Sequence, residues 1–265
     1  MTIEQSTVAA ILRCTQALCQ QISDKQTLEH GIAFYSRLFA NLADANQFRE
    51  VVAENDAGAA LEEADRFFRQ QDLTCHRWAP AMGRASPQLS ESLLRNGFVM
   101  RTHTALVLTD RVDLLPADRV RIVHARALRA HFRRTFLDQP PSPLSGLPDS
   151  TAARELLADA AERRLDDPQY DMFVALLDNR PAGRAALYQV GDLALVNDLF
   201  VLDPFTGHAV DRTLLAHLLA LARRLAMRKV FAQVDDADPT LRELLDSAGF
   251  TPDGAITEFH RTARP

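Results

Sequence analysis

The stretch LVNDLFVLDPFTGHAVDRTLL, Leu195 to Leu215, decides how this chain is read. Its first part lies in a run, Leu193–Val201, dense in Leu, Val, Ala and Phe, as a buried strand is. Asp203-Pro204 ends the strand, Gly207 opens a small-residue loop, and a strong helix follows over about 209–226. A strand that passes through such a loop into a helix brings unpaired N–H groups and the positive end of the helix dipole to one point. Anions bind at such points.

Outward from this stretch the elements alternate. Upstream, Met172–Leu177 and Ala182–Val190 read as strands, turned by Asp178-Asn179-Arg180 and by Gly191-Asp192. Thr151–Leu165 and 127–137 read as helices, and Val120–Ala125 as a strand. Downstream come a strand at Lys229–Val234, a helix at Pro239–Ala248 and a strand at Ala255–Arg261. The order β-α-α-β-β-β-α-β-α-β predicts an α/β fold around one mixed sheet. Residues 138–150 (DQPPSPLSGLPDS) are too Pro-rich for a helix and read as a long ordered loop, a lid over a cleft.

The polar segment 110–119 marks a boundary, with a first domain over 1–112 and a second over 118–265. In the first, helical spacing predicts a helix over 3–22 and another carrying Leu28, Ile32, Tyr35, Phe39 and Leu42. A strand through Phe48–Val52, a helix over Leu61–Gln70 and a strand over Thr74–Ala79 follow. Pro87 opens a helix that Asn96-Gly97 ends, and Val99–Leu108 alternates as a strand. That Pro-to-Gly helix has a counterpart. Pro87–Phe98 (PQLSESLLRNGF) and Pro239–Phe250 (PTLRELLDSAGF) share Pro, Leu, Glu, Leu, Gly and Phe without a gap, 152 residues apart (239 − 87). Shared helix chemistry explains Pro and Gly alone; six coincidences predict a duplication with a partial first copy.

The second half resembles the GNAT superfamily of acyl-CoA N-acyltransferases. Leu195–Pro204 resembles that family's fourth strand, Thr206–Leu215 its pyrophosphate loop and helix, and Asp238–Phe250 its late Gly-Phe helix. The resemblance implies a GNAT-like fold and acetyl-CoA as cosubstrate. It places the pantetheine arm along Leu199, Phe200 and Val201, and the diphosphate on Thr206, Gly207, His208, Ala209, Val210, Asp211 and Arg212, with Asp238 in place of the usual Asn. Asn197 and Asp198 would meet the amine, Asp198 as the base, and Tyr188 could substitute as acid. Leu245 stands where the family's general-acid Tyr falls. Asp211 departs from the family pattern: a carboxylate suits a helix dipole but repels a diphosphate.

Composition fits this reading. The net charge of −5 gives no basic face for nucleic acid or an anionic membrane. The basic residues are almost all Arg, with Lys only at positions 25 and 229. The three cysteines, Cys14, Cys19 and Cys75, have no zinc spacing and suit a reducing compartment. No signal peptide or membrane span is read, so the expected location is cytoplasmic. The expected partner is a small-molecule or peptide amine acceptor. An inactive GNAT-like module that binds a ligand or protein is the alternative, and a purely structural or dimerising protein, with the first half as a partner surface, is a third reading; a homodimer is the expected assembly if one forms.

Overall fold

The computed structural model describes residues 6–53, 56–110, 112–139 and 147–261. Most of the Pro-rich segment read as a lid, residues 140–146, lies outside the described residues.

The hydrophobic runs form one mixed sheet of eleven strands among the described residues, in the order β1-β2-β3-β4-β11-β5-β10-β9-β8-β7-β6. The first half supplies α1 (Thr7–Gln20), β1 (Asp24–Thr27), β2 (Ile32–Tyr35), β3 (Gln47–Val51), α2 (Ala57–Gln70), β4 (Arg77–Pro80), α3 (Pro87–Arg95) and β5 (Phe98–Leu108). The second supplies β6 (Val120–His124), α4 (Arg129–Leu137), α5 (Thr151–Arg164), β7 (Tyr170–Leu177), β8 (Arg180–Val190), β9 (Leu193–Val201), α6 (Val210–Arg224), β10 (Lys229–Asp235), α7 (Pro239–Ser247) and β11 (Phe250–Arg261). The mixed α/β fold is the one expected.

Both faces of the sheet are covered around β7 and β8, which is why these two strands are buried along most of their length. In β7, Phe173, Ala175 and Leu177 join a core with Leu214, Leu215 and Leu218 of α6. Met172, Val174 and Leu176 point the other way, into a core with Ile11 of α1, Phe132 of α4 and Ala158 of α5. The three α6 leucines have no solvent exposure, and each such burial is worth about 2–3 kcal/mol.

The helix expected through Leu28 and Leu42 is a correction. Residues 24–35 are instead the β1–β2 hairpin, with Asp24 opposite Tyr35. Helical spacing was present, but tertiary partners win. The Glu63 carboxylate of α2 accepts the N–H groups of Glu29 and His30 at 2.9 and 3.0 Å, fixing the turn. β2 then pairs with β3, so its backbone groups are satisfied across strands.

The 152-residue offset extends beyond the Pro-to-Gly helix. Arg77 and Lys229 open β4 and β10, Pro87 and Pro239 open α3 and α7, and Phe98 and Phe250 open β5 and β11. The final strand of each half sits in the other half's part of the sheet. β5 pairs antiparallel with β10, β11 pairs antiparallel with β4, and β5 and β11 pair with each other from Phe98↔Arg261 to Phe250↔Leu108.

Candidate functional site

The site begins where β9 stops being a regular strand. β9 pairs in parallel with β10 only from Leu193↔Lys229 to Val196↔Ala232. On its other edge, Ala186 of β8 faces Asn197 and Arg184 faces Phe200. Asp198 and Leu199 therefore share a single opposite residue, Ala185, and form a β-bulge. Asp198 takes φ +50°, a left-handed conformation that costs a non-glycine residue free energy. The bulge turns β9 away from β10, whose own pairing with β5 runs on to Asp235.

A cavity of about 430 Å³ lies where the two strands part. Leu195 to Leu199 of β9, Ala232 and Gln233 of β10, and Leu241 and Leu245 of α7 line one side. The remaining walls come from α1, β3, β4, β5, α5 and β11, so residues of the first half complete the cavity.

Asn197 and Asp198 both line the cavity. The buried Tyr170 hydroxyl, pushed above its ordinary value chiefly by desolvation, hydrogen-bonds the Asn197 side chain. Asp198 accepts a hydrogen bond from Arg184 Nε at 2.8 Å. That guanidinium is itself fixed by the Thr135 carbonyl at 3.1 Å and by Gln139 at 3.0 Å, and stacks on Phe136 at 3.8 Å. A proton taken by Asp198 would break an ion pair held from several sides. Tyr188 is elsewhere: it is 3% exposed, packs against Tyr170 and is not among the cavity residues. Burial pushes its hydroxyl up to about 12. Leu199 reaches the cavity; Phe200 and Val201 continue β9 beyond it.

The loop 206–212 does not line the cavity but stands beside the end of β9. Gly207 has φ +84°, and Ala209 takes φ +54° just before α6. Two loop amides are used inside the turn: Thr206 N–H donates to the Asp203 carbonyl at 3.2 Å and His208 N–H to the Phe205 carbonyl at 3.3 Å. The Asp211 carboxylate accepts the Arg212 N–H of its own helix at 2.7 Å. Asp238 caps α7, its carboxylate accepting the Leu241 N–H at 3.0 Å, while its side also faces the cavity.

Gly183 allows this loop and the bulged strand to come together. A Cβ there would lie 2.5 Å from the Phe200 carbonyl oxygen and 3.1 Å from Val210 of α6. Gly183→Ala is therefore expected to cost about 2–3 kcal/mol in urea unfolding, by forcing β9 outward. A variant of wild-type stability would show that β9 yields freely there.

Sequence reasoning missed the opposite wall. Glu258, at 4% exposed, meets Arg49 at 3.6 Å, Arg77 at 3.9 Å, His103 at 3.8 Å and His260 at 3.5 Å. Asp44 joins Arg77 at 3.0 Å and Arg164 at 3.5 Å. The available signal was charge within strands: Arg49 in QFREV, Arg77 in RWAP, and Glu258 and His260 two apart in β11, hence on one face.

A mixed sheet, a bulged strand diverging from its parallel neighbour and a Gly-containing loop opening a helix define an acyltransferase-type fold. Residues 129–250 match the model of the Acetyltransferase (GNAT) family. Among solved structures, a GCN5-related N-acetyltransferase from Kribbella flavida superposes with TM-score 0.63 at 14% identity, over 97% of this chain and 96% of that one. A functionally unknown conserved protein from Staphylococcus epidermidis gives TM-score 0.66 at 14% identity, over 91% and 94%. A tandem GNAT protein from the clavulanic acid biosynthesis pathway gives 0.52 at 16% identity, over 78% and 70%. At such identities the likeness is one of fold. No curated protein matches the chain in sequence. No helix among the described residues is long and apolar enough to cross a membrane.

Proposed function

We propose that the protein is an acetyl-CoA-dependent N-acyltransferase, and that its acceptor amine occupies the cavity between β9 and β10. The observation that carries this reading is the bulge at Asn197–Asp198, which frees one edge of β9 beside a polar cavity. The pantetheine arm lies along Leu199, Phe200 and Val201 as an added strand. A backbone N–H at the bulge polarises the thioester carbonyl, as an oxyanion site does. Catalysis then rests mainly on positioning, so Leu245 need not be replaced by an acid. The amine attacks the carbonyl carbon, its proton passes to Asp198 or to solvent, and the CoA thiolate leaves and takes a proton from solvent. Chain location in the cytoplasm and a two-copy origin, with domains 1–112 and 118–265 that exchange their last strands, belong to the same proposal.

The inactive module is favoured by a different observation: the Asp211 carboxylate takes up the Arg212 N–H in the first turn of its own helix, and two loop amides are engaged within the turn. The two readings part on turnover. Incubating the full-length protein with acetyl-CoA and a panel of primary amines should release free CoA thiol; binding without release across the panel would favour the inactive module. Asp211→Gly removes a negative charge and frees the Arg212 N–H, so it should tighten acetyl-CoA about tenfold. Unchanged affinity would mean that the diphosphate sits elsewhere.

A further inference from the structure

We propose that the cavity selects an acceptor that carries a carboxylate as well as an amine, with Arg77 and Arg164 binding the carboxylate. The fate of the amine rests on the transferase reading; the anion site does not.

Arg49, Arg77 and Arg164 face the cavity together with Asp44 and Glu258. On this buried wall three guanidiniums meet two carboxylates, which leaves one positive charge; Asp198, Asp235 and Asp238 line the β9, β10 and α7 side, where Arg184 and the Ala237 and Leu241 N–H groups hold them and where the acceptor's amine would lie. An uncompensated buried charge is costly, and a monoanion would balance it. Asp44 and Glu258 are both held below the ordinary carboxylate range, Asp44 against the effect of burial by Arg77 and Arg164, so they stay charged.

The donors are also incomplete. Arg77 Nε, Arg164 Nε, His103 Nε2 and both ring nitrogens of His260 are buried and make no hydrogen bond among the described residues. His260 is 2% exposed and lines the cavity. Burial, then Arg77, pushes its imidazole below the usual range, so a neutral ring with one N–H donor is what a ligand meets. Arg49 is already committed to Gln47 at 2.7 Å and Thr15 at 2.9 Å, whereas Arg77 and Arg164 meet Asp44 through Nη2 and keep Nε, without a hydrogen bond among the described residues, to offer a ligand. Guanidinium matches the planar carboxylate in shape. A phosphate dianion would overshoot the single excess charge.

His103, Glu258 and His260 also place ligand atoms within 4.8 Å of one another, a spacing metal ligands can have. Arg49 and Arg77 flank the same carboxylate and would repel a divalent cation, so the anion is favoured.

The test uses full-length protein and two pooled probes, the standard L-amino acids and their C-terminal carboxamides. The amino acid pool should raise the melting temperature and the amide pool should not. The responsible amino acid should bind at least about tenfold more tightly than its amide by calorimetry. Arg164→Gln should abolish that preference, and Arg77→Lys, which keeps the charge but loses Nε, should weaken it several-fold. Equal response to both pools, no response at up to about 10 mM, or stabilisation by zinc ions alone that His260→Gln removes would overturn the proposal. Amino acid binding without acetyl-CoA binding would support the anion site and sink the transferase reading; acetyl-CoA binding with no discrimination between the pools would do the reverse.

Discussion

Glu258→Gln is expected to destabilise the protein by about 3–5 kcal/mol at neutral pH, the usual cost of removing one partner from a buried ion-pair group. Glu258 is the common counter-charge for Arg49 and Arg77, and His103 and His260 also face it. Glutamine keeps the volume but leaves Arg49 without its anion and Arg77 with Asp44 alone. Burial by itself would raise the Glu258 carboxyl, but Arg77, His260, Arg49 and His103 outweigh it and hold the group far below its ordinary value of 4.5. The sign of the pH dependence follows. A depressed folded value means that the stabilisation is complete above about pH 4.5 and is lost as pH falls toward the folded value. Urea unfolding should therefore show a large gap between wild type and variant at pH 7, narrowing only in acid well below pH 4.5. A gap under about 1 kcal/mol at pH 7 would mean that the cluster is solvated in solution.

Gly249→Ala is expected to cost about 3–5 kcal/mol, whereas Gly97→Ala, at the matching place after α3, should cost only about 1–2. Both glycines take left-handed backbone, φ +91° and +80°. They differ in surroundings. A Cβ on Gly249 would lie 2.1 Å from the Asp110 carbonyl oxygen, while nothing lies within 4 Å of one on Gly97. The Gly249 carbonyl also accepts the N–H groups of Thr109 and Asp110, at 3.1 and 3.2 Å, tying the end of β5 to the turn after α7. That turn sets the pitch of α7, which carries Leu241 and Leu245 into the cavity. Thermal or urea unfolding of the two variants side by side tests this; equal losses would mean that the backbone of residue 110 moves aside at little cost.

The contrast between these glycines also bounds what the sequence could reveal. Pro239, Gly249 and Phe250 were legible because they obey local chemistry: Pro at a helix start, Gly at its end, an aromatic opening a strand. Their likeness to Pro87, Gly97 and Phe98 was legible for the same reason. That β5 and β11 cross into each other's half of the sheet was not, because strand pairing over such separations leaves no local mark. The β1–β2 hairpin was misread because Glu63, distant in sequence, supplies the acceptor that fixes its turn.

The site divided in the same way. Asn197 and Asp198 stood out on the strand, and both do line the cavity. The bulge that gives Asp198 φ +50° depends on its neighbour β8 and could not be read from β9 alone. The Arg–Glu–His wall went unseen because its members come from five separate elements and a loop. Each looked like an ordinary surface charge until the fold buried it.

A calorimetric titration of the full-length protein with acetyl-CoA tests the central claim most directly. Saturable binding with a Kd below about 1 mM, tightened by Asp211→Gly, is the expected result. No heat of binding at millimolar acetyl-CoA, in both wild type and Asp211→Gly, would contradict it.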